Sequence, residues 1–467
     1  MEKDFDIAII GGGPGGYVAA IRAAQLKKRV LLIEKERLGG ECMNWGCIPT
    51  KYLLHQTKMI HDLKENGNVE GPRDSLTLNW SRVQKEKESV IERLVGGIDL
   101  LLEKNGVTTI KGEAQIDVKK HITVRSEKGF LSYYAEKIIL AAGSRSASLP
   151  FLPSNSGSIL TNREILSLET VPRSLLVIGA GAIGLEMATI FRRLGSDVIV
   201  LELMPTILPG SDKTMVGRLH RILKQEGLNI LTQMRIESCR FRDGMTILEG
   251  ISLRDQKPFE FSAEKVLVAA GRKPNSERLL AQPPKNWLGE SGFVKVGRYL
   301  ETAVPGVYAV GDLIGGKLLA HKASHEGIIA VENAFRQNRE VDHRGVPGAV
   351  FTDPELASVG WTEQEASEAG TKIKTGLFSL QSSARAVTMG KTQGMVKILA
   401  DESDRIVGAH ILSPNAGEMI AELTLAVGKG MKLQDVSSSI HIHPTLSESV
   451  MEAALKAEGA AIHALNL

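Results

Sequence analysis

The sequence predicts an α/β protein in which two copies of one βαβ unit precede a C-terminal α+β domain. An apolar strand, a glycine-rich turn, a helix and a second strand ending in Glu occur in this order twice. One constant offset separates every matching pair of positions in the two copies, such as Gly16 and Gly184. The region after residue 338 alternates strands and helices without such a turn. Because 467 residues exceed what one hydrophobic core supports, several domains are expected.

The first copy begins with a strand predicted over 5–10, which leads into Gly11-Gly12-Gly13-Pro14-Gly15-Gly16. A helix is predicted over 17–26 and a second strand over 30–33, ending at Glu34. This order is typical of a dinucleotide-binding fingerprint. Its glycines permit a tight turn, close approach to a pyrophosphate and close helix packing, and the helix N-terminus faces the phosphate charge.

The second copy has strands predicted over 175–178 and 198–201, the turn Gly179-Ala180-Gly181-Ala182-Ile183-Gly184 and a helix over 185–194. Glu202 ends it, and lies as far beyond Gly184 in the sequence as Glu34 lies beyond Gly16. A carboxylate at this position accepts hydrogen bonds from a ribose diol and repels a 2′-phosphate. Since no Arg occurs in 203–206, the second copy favours NAD over NADP. Two Rossmann-like domains binding two dinucleotides are therefore expected.

The remaining elements complete the domain plan. Further strands are predicted within 112–125 and at 137–142, 265–270, 307–310, 395–399 and 406–412. Helices are predicted at 83–104, 417–428 and 445–458, and a polar linker is predicted at 336–345. We expect a first dinucleotide-binding domain over 1–146, an NAD-binding domain over 147–270, a continuation of the first domain over 271–338 and a last domain over 339–467.

Composition excludes several function classes. Net charge is +3 and aromatic residues make up 4%, which disfavours a nucleic-acid or anionic-membrane surface. No apolar run is long enough for a membrane span, and residues 1–4 show no signal-peptide pattern. A cytoplasmic protein is expected, and a mature organelle protein is also compatible.

Cys42 and Cys47 are the most informative pair of residues. A disulfide beside a dinucleotide site indicates two-electron transfer by thiol–disulfide exchange. Five residues of ideal helix rise about 7.5 Å, beyond disulfide reach, so a bridge here requires a distorted backbone and should be easily reduced. Without further context, such a pair is more often two free thiols. The spacing between Cys42 and Cys47 is unusual for the ligands of a zinc site. Cys239 is expected to be a packing or surface thiol.

Three segments carry a family resemblance. They are Gly39-Gly40-Glu41-Cys42-Met43-Asn44-Trp45-Gly46-Cys47-Ile48-Pro49-Thr50-Lys51, Ala309-Val310-Gly311-Asp312 and His441-Ile442-His443-Pro444-Thr445-Leu446-Ser447-Glu448. On these, the chain resembles the flavoprotein disulfide reductases over essentially its whole length. Residues 319–327, 352–355 and 417–420 are most similar to the members that oxidise protein-bound dihydrolipoamide. Glu41, Trp45 and Ser413 depart from the family pattern.

The resemblance implies FAD on the first fingerprint, NAD on the second and a homodimer formed by the last domain. The residues implied for FAD are Gly11, Gly13, Gly16, Glu34, Lys35, Gly40, Lys51, Gly112, Ala114, Gly143, Asp312 and Ala320. Those implied for NAD are Gly179, Gly181, Gly184 and Glu202, and Glu186 and Gly271 are further predicted cofactor-binding residues. Lys51, also predicted to be a catalytic residue, would lie near the flavin and pair with Glu186.

The resemblance also implies catalytic roles. Cys42 would exchange with the dithiol, Cys47 would pass electrons to FAD, and reduced FAD would reduce NAD⁺. His443 would be the base and Glu448 its partner, as in a catalytic triad. His441 is a competing base, expected to be packed or hydrogen-bonded instead. A lipoyl domain of an acyltransferase, or a glycine cleavage carrier protein, would bring the substrate.

Four alternatives remain open at this point. A mercuric reductase would show a second cysteine pair at its C-terminus, which 461–467 lack. A glutathione reductase needs an NADP site, which Glu202 opposes. A soluble transhydrogenase lacks the full cysteine pair. A flavin-bearing NADH sensor without turnover would not require Cys42, Cys47, His443 and Glu448 together.

Overall fold

The structure, a computed structural model, describes residues 4–153, 157–289 and 291–466. The first three residues, considered above for a signal peptide, and the last residue lie outside these ranges. The chain forms two compact units. Unit 1 comprises the described parts of Met1–Leu149, Leu160–Val171 and Ala270–Val341, and unit 2 those of Pro150–Ile159, Pro172–Ala269 and Asp342–Leu467.

The strands follow the chain in this order: β1 (Phe5–Ile10), β2 (Val30–Glu34), β3 (Thr108–Lys111), β4 (Glu113–Ile116), β5 (His121–Ser126), β6 (Gly129–Leu140), β7 (Ser144–Ser146), β8 (Ile159–Leu160), β9 (Ser174–Ile178), β10 (Asp197–Glu202), β11 (Asn229–Thr232), β12 (Met234–Arg242), β13 (Met245–Ser252), β14 (Pro258–Ala263), β15 (Lys265–Val268), β16 (Arg272–Pro274), β17 (Val307–Ala309), β18 (Gly348–Val350), β19 (Glu355–Gly360), β20 (Lys374–Ser379), β21 (Met395–Ala400) and β22 (Ile406–Ser413).

The α-helices are α1 (Pro14–Gln25), α2 (Gly40–Trp45), α3 (Cys47–Glu65), α4 (Trp80–Lys104), α5 (Asn162–Leu166), α6 (Ala182–Arg193), α7 (Lys213–Gln225), α8 (Ala320–Ala334), α9 (Glu363–Glu368), α10 (Ala384–Thr388), α11 (Ala416–Lys429), α12 (Leu433–Ser437) and α13 (Glu448–Ala457). Single 3₁₀ turns cover Arg73–Ser75, Gly311–Ile314 and Leu380–Ser382. None of the helices in the described ranges combines the length and apolar character needed to cross a membrane.

Unit 1 is built on a parallel sheet in the order β3-β2-β1-β6, with β17 also parallel to β6. The first half of β6 continues into an antiparallel meander with β5 and β4. Ile7 and Ile9 of β1 face one core cluster while Ala8 and Ile10 face another. A parallel strand that is buried on both faces consists of consecutive apolar residues, and this run of apolar residues is what predicted β1 from the sequence.

Unit 2 contains a second parallel sheet in the order β11-β10-β9-β15-β8 and a three-stranded antiparallel sheet, β12-β13-β14. Its C-terminal part is an antiparallel sheet, β18-β19-β22-β21-β20, with α11 packed on β19 and β22 and α13 on β20 and β21. The buried face of this sheet, including Val396, Ile398 and Ile411, packs against Leu423 and Val450 of those helices. The predicted fold class, two βαβ domains followed by an α+β domain, is confirmed.

Element ends differ from the predictions in two informative places. The predicted helix over 445–458 begins only at Glu448, and the Glu448 carboxylate accepts a hydrogen bond from the backbone N–H of Thr445, just before the helix, at 2.8 Å. The first βαβ helix starts at Pro14 rather than at residue 17. Proline is well suited to the first turn of a helix, where its missing N–H costs nothing.

Candidate active site

The first glycine loop is held by the carboxylate that ends β2. Glu34 accepts a hydrogen bond from the backbone N–H of Gly12 at 2.6 Å and from that of Glu36 at 2.8 Å. Gly11 and Gly16 are in contact, since a Cβ atom on Gly16 would lie 1.7 Å from the carbonyl oxygen of Gly11. Contacts within the protein therefore fix the conformation of this loop.

The second glycine loop repeats these bonds at the matching positions of the second copy. Glu202 accepts from the backbone N–H of Ala180 at 2.6 Å and of Met204 at 2.8 Å. A Cβ atom on Gly184 would lie 2.0 Å from the carbonyl oxygen of Gly179. The internal repeat seen in the sequence thus extends to individual hydrogen bonds.

The middle glycine of each loop leaves room for a ligand. A Cβ atom on Gly181 would meet nothing within 4 Å, and one on Gly13 would meet only Gly40, at 3.8 Å. In each case the loop opens a helix, α1 or α6, and the first N–H groups of a helix have no acceptor within the helix. Open backbone at a helix N-terminus fits the pyrophosphate of a dinucleotide.

A cavity of about 260 Å³ lies beside the end of β2. It is lined by Lys35, Glu36, Lys111, Gly112, Glu113, Arg125, Ser126 and Glu127. Gly112 donates its N–H to the carbonyl oxygen of Glu34 at 2.9 Å, so the cavity adjoins the first glycine loop. Lys35 and Gly112, two of the predicted residues, line it, while Ala114 is buried slightly further along the chain, in β4.

Asp312 is fixed by a serine that the sequence analysis did not select. Ser144 donates its hydroxyl to Asp312 Oδ2 at 2.5 Å, and Arg272 Nε donates to the same hydroxyl oxygen at 2.7 Å. The N–H of Gly311, the residue before Asp312, is held by the buried carboxylate of Glu326 at 2.8 Å. The Asp312 carboxylate is thus oriented from two sides.

Two of the other predicted positions in unit 1 directly precede Ser144 and Arg272. Gly143 lies next to Ser144, and its carbonyl oxygen accepts from the N–H of Asn275 at 2.9 Å. Gly271 precedes Arg272, and Ala320 is the first residue of α8. Arg272 directly follows the predicted residue Gly271, but its role depends on Ser144, which is 128 residues away and carries no motif.

The cysteine pair lies where two helices meet. Helix α2 ends at Trp45, Gly46 breaks the helix at φ −141° and ψ −110°, and α3 begins at Cys47. A Cβ atom on Gly46 would lie 3.2 Å from the Cα atom of Cys42, so the chain folds back closely there. The backbone therefore departs from a continuous helix, as bridging the pair requires.

Both cysteines are present as thiols. The hydrogen bond with Cys47 raises the pKa of Cys42, burial raises it further, and the positive charge of Lys51 partly opposes the rise. A thiol pair this close interconverts with a disulfide through small movements, and Lys51 favours the thiolate that exchange requires.

Lys51 and Glu186 occupy different units. Lys51 lies in the second turn of α3. Glu186 lies in α6, is 4% exposed and accepts a hydrogen bond from the backbone N–H of Phe351 at 3.0 Å. The expected pairing of Lys51 with Glu186 stays a prediction.

His443 and Glu448 form a hydrogen-bonded pair within unit 2. The Nδ1 atom of His443 lies 2.9 Å from Glu448 Oε1, and the imidazole side chain is 72% exposed. Burial alone would raise the pKa of Glu448, but hydrogen bonds from the Thr445 N–H and from His443 outweigh it and lower that pKa. An ionised carboxylate on Nδ1 leaves Nε2 available to take a proton.

His441 is arranged differently. Its Nδ1 atom lies 2.9 Å from the carbonyl oxygen of Ser439 and its Nε2 atom 3.1 Å from Glu422 Oε1. The side chain is 8% exposed. With both ring nitrogens engaged, His441 is the poorer base.

Comparisons with known proteins identify the family. The pyridine nucleotide-disulphide oxidoreductase profile matches residues 5–327, and the dimerisation domain of the same family matches residues 346–454. The match of a dimerisation domain supports a homodimer.

Similar sequences agree with this assignment. The chain is 41% identical to a dihydrolipoyl dehydrogenase from Thermus scotoductus, with 99% of this chain and 100% of the relative covered. It is 39% identical to a dihydrolipoyl dehydrogenase from Bacillus subtilis, covering 98% and 97%.

Solved structures agree as well. LpdA from Mycobacterium tuberculosis matches with a TM-score of 0.87 at 25% identity, covering 96% of this chain and 98% of that one. The HOCl-induced flavoprotein disulfide reductase RclA from Escherichia coli, solved as a Cu(II) complex, matches with a TM-score of 0.86 at 26% identity, covering 97% and 99%. The chain therefore belongs to the pyridine nucleotide-disulphide oxidoreductase family and is an FAD- and NAD-dependent enzyme of it.

Proposed function

We propose that this chain is a dihydrolipoyl dehydrogenase that oxidises protein-bound dihydrolipoamide and reduces NAD⁺. The observation that carries the proposal is the adjacent thiol pair Cys42–Cys47, hydrogen-bonded across the break at Gly46. Relatives at 38–41% identity over nearly the whole chain share the name dihydrolipoyl dehydrogenase, which supports the choice of substrate.

The two cysteines take different parts in the reaction. A thiolate of the substrate attacks Cys42 Sγ of the oxidised pair, so the Cys42–Cys47 bond breaks and Cys47 leaves as a thiolate. The second substrate thiolate then attacks the substrate sulfur bound to Cys42. The lipoyl disulfide closes, Cys42 leaves as a thiolate, and two electrons have passed to the pair.

His443 removes the protons of the substrate thiols. Its Nε2 atom is the acceptor because Glu448 occupies Nδ1. The Glu448 carboxylate fixes the orientation of the ring and stabilises its charged form. By resemblance to the family, His443 serves the Cys42–Cys47 pair of the other subunit, so that each homodimer contains two sites.

FAD, when bound, would supply the two-electron chemistry that links the reduced cysteines to NAD⁺. We assign the first glycine loop, with Glu34, Asp312 and the cavity beside Lys35, to FAD. We assign the second loop, with Glu202, to NAD. Gly40, Lys51, Ala114, Gly143, Ala320, Glu186 and Gly271 keep the cofactor roles implied by the resemblance.

The substrate arm is proposed to come from a lipoyl domain of an acyltransferase or from a glycine cleavage carrier protein. A cytoplasmic location is proposed with it. We also propose that the domain divisions near residues 146, 270 and 338 separate the FAD, NAD, central and dimerisation regions.

The test is steady-state NAD⁺ reduction by the purified holoenzyme with dihydrolipoamide, compared with reduced glutathione and dithiothreitol. A clear preference for dihydrolipoamide in kcat/KM supports the proposal. NADPH-dependent reduction of glutathione disulfide, or of Cu(II), at a higher kcat/KM than dihydrolipoamide oxidation would contradict it. NADH reduction of the flavin without dithiol turnover would identify a sensor instead.

A further inference from the structure

Lys397 is a charged residue within a buried strand of the C-terminal sheet. It lies in β21, in which all six residues are buried, and is itself 1% exposed. Its neighbours Val396 and Ile398 belong to the apolar core beneath α11 and α13. Because side chains alternate along a strand, Lys397 lies on the opposite face of the sheet. A buried ammonium group is strongly destabilising unless other groups pair with it.

The partner of Lys397 is the residue that caps α7. The Nζ atom lies 2.8 Å from Asp212 Oδ2 and 3.3 Å from Thr214 Oγ1. Asp212 is 2% exposed, and its Oδ1 atom accepts hydrogen bonds from the backbone N–H groups of Thr214 and Met215, each at 3.1 Å. Glu363 Oε2 of α9 also lies 2.6 Å from Nζ, and its side chain is 44% exposed. One buried carboxylate therefore caps α7 and binds the C-terminal sheet.

The segment 203–212 lies between the second glycine loop and this lysine. It connects Glu202, which ends β10, with α7. The N–H of Leu208 donates to the carbonyl oxygen of Ala180 in the glycine loop at 3.0 Å. The N–H of Ala180 is the group that Glu202 binds. Both backbone groups of Ala180 are therefore held, one by Glu202 and the other by the segment that ends at Asp212.

The position of this segment depends on such contacts. Residues 203–212, all within the described ranges, form neither a helix nor a strand. Leu208 has a φ of +46°, which L-residues seldom adopt, and its side chain is buried. Ser211 donates its N–H to the carbonyl oxygen of Leu208 at 3.1 Å, so a turn leads from Leu208 directly to Asp212. The bond to Lys397 therefore anchors the end of the segment next to the contact with Ala180.

A second buried ion pair joins the same two parts of unit 2 at another place. Arg193, the last residue of α6, has its Nη2 atom 3.0 Å from Asp353 Oδ2, and the two side chains are 6% and 8% exposed. Helix α6 begins at the second glycine loop, so about 16 Å of helix separates this pair from the loop. The Arg193 pair is similarly buried but lies outside the segment 203–212. It is therefore a natural comparison for the Lys397 pair.

We propose that Lys397 is a positioning residue for NAD. By binding Asp212 it fixes the segment 203–212 against the second glycine loop, so the C-terminal sheet helps to shape the NAD site. Lys397 acts through Asp212 and Leu208. Without this anchor the segment would have to become ordered when the nucleotide binds, which weakens binding. The inference rests on the proposed assignment of the second glycine loop to NAD.

The test uses two variants of the holoenzyme, Lys397→Met and Asp212→Asn. The second variant keeps an oxygen that can cap α7 but removes the charge that binds Lys397. In both, the Kd for NAD⁺ measured by calorimetry should rise about fivefold. Hydrogen exchange of the amides in 203–212 should be faster without nucleotide and should slow again at saturating NAD⁺. The ratio of flavin to protein absorbance should stay unchanged, because the first glycine loop lies in unit 1.

The double variant separates positioning from stability. Lys397→Met leaves the Asp212 carboxylate buried without its cation, so Tm should fall, and adding Asp212→Asn should restore most of that loss. The bond between the two residues is still missing, so the Kd for NAD⁺ should remain about fivefold above that of the wild type. Recovery of affinity together with Tm would show that the pair only stabilises unit 2, and would overturn the inference. If Lys397→Met does not fold, Asp212→Asn decides by itself.

Two controls show whether the effect is specific. Arg193→Met breaks the comparison pair, so Tm should fall while the Kd for NAD⁺ stays within about twofold of the wild type. Lys374→Met breaks an exposed pair with Asp404 at the edge of the same sheet, and should change neither quantity. A rise in Kd in Arg193→Met as large as that in Lys397→Met would contradict a special role for Lys397.

Glu202→Ala distinguishes this inference from the assignment on which it rests. If Glu202→Ala binds NAD⁺ as tightly as the wild type, the assignment of the second loop is wrong and this inference falls with it. If Glu202→Ala binds NAD⁺ weakly while Lys397→Met and Asp212→Asn bind it normally, the assignment stands and only the positioning role is refuted.

Discussion

Gly40 of the cysteine motif lies directly against Gly13 of the first glycine loop, and a Cβ atom on Gly40 would stand 2.7 Å from the Cα atom of Gly13. The redox helix α2 therefore starts on the backbone of the loop assigned to the FAD pyrophosphate. Two motifs that are separated in the sequence by α1 and β2 are one structural unit.

Gly40→Ala should reduce FAD binding. The added methyl group would push on Gly13, and Gly40 has a φ of +56°, which disfavours any other residue. We expect the ratio of flavin to protein absorbance after purification to fall at least severalfold. Gly217→Ala in α7, where a Cβ atom meets nothing within 4 Å, should leave the ratio unchanged. Full flavin occupancy in Gly40→Ala would show that the two motifs are not tightly coupled.

Replacing the cysteines should separate their roles. Cys42→Ser should abolish dithiol oxidation while flavin stays bound, because exchange needs the sulfur at this position. Cys47→Ser should abolish dithiol oxidation and also remove the long-wavelength absorbance of the two-electron-reduced enzyme. Cys239→Ser, a substitution in β12, is the control for both measurements. Normal dithiol turnover in either of the first two variants would refute the assignment.

Glu202→Ala should weaken NAD⁺ binding. The loss of a charged hydrogen-bond acceptor, about 1.5–3 kcal/mol, should raise KM for NAD⁺ roughly tenfold or more. Glu34→Ala, at the matching position of the first copy, should lower flavin content instead. Steady-state kinetics and flavin absorbance distinguish the two effects. A wild-type enzyme that prefers NADP⁺ would contradict the reading of Glu202.

His443→Gln should slow dihydrolipoamide oxidation by on the order of 10²–10⁴, the usual size of general-base catalysis. Flavin reduction by NADH should change far less, because that half-reaction removes no thiol proton. Glu448→Gln should cause a smaller loss in the same dithiol half-reaction, since it removes only the orienting charge. Stopped-flow absorbance follows both half-reactions. Equal losses in both would argue that His443 supports the fold rather than proton transfer.

Hybrid dimers test whether the site is shared. Cys42→Ser and His443→Gln homodimers should each be inactive toward dihydrolipoamide. A hybrid of the two pairs an intact Cys42 with an intact His443 at one of its two sites, so activity should reappear after subunit exchange. Native mass spectrometry would confirm that hybrids form. Hybrids without activity would indicate a base from the same chain.

The sequence was sufficient where function depends on local pattern. The strand at Phe5–Ile10, both glycine loops and the carboxylates Glu34 and Glu202 are all found within single βαβ units. The family assignment followed from the segments 39–51, 309–312 and 441–448 and is confirmed.

Residues that act through distant contacts were missed. Ser144 meets Arg272 across 128 residues, and Lys397 meets Asp212 across 185. Neither Ser144 nor Lys397 belongs to a spaced motif, so tertiary packing alone brings them to their partners. The break at Gly46 could be predicted only in part. The spacing of the two cysteines shows that a bridge between them needs a distorted backbone, but it does not show at which residue the distortion occurs.

The bonds that Glu34 and Glu202 make to their own loops have a thermodynamic consequence. Gly12 and Ala180 already have their amides satisfied by these carboxylates before any nucleotide arrives. The loops need not be ordered on binding, so less conformational entropy is lost when a nucleotide binds than in a flexible glycine-rich segment. The nicotinamide dinucleotide, which enters as NAD⁺ and leaves as NADH in every turnover, then meets a rigid receptor, and its exchange requires no local folding.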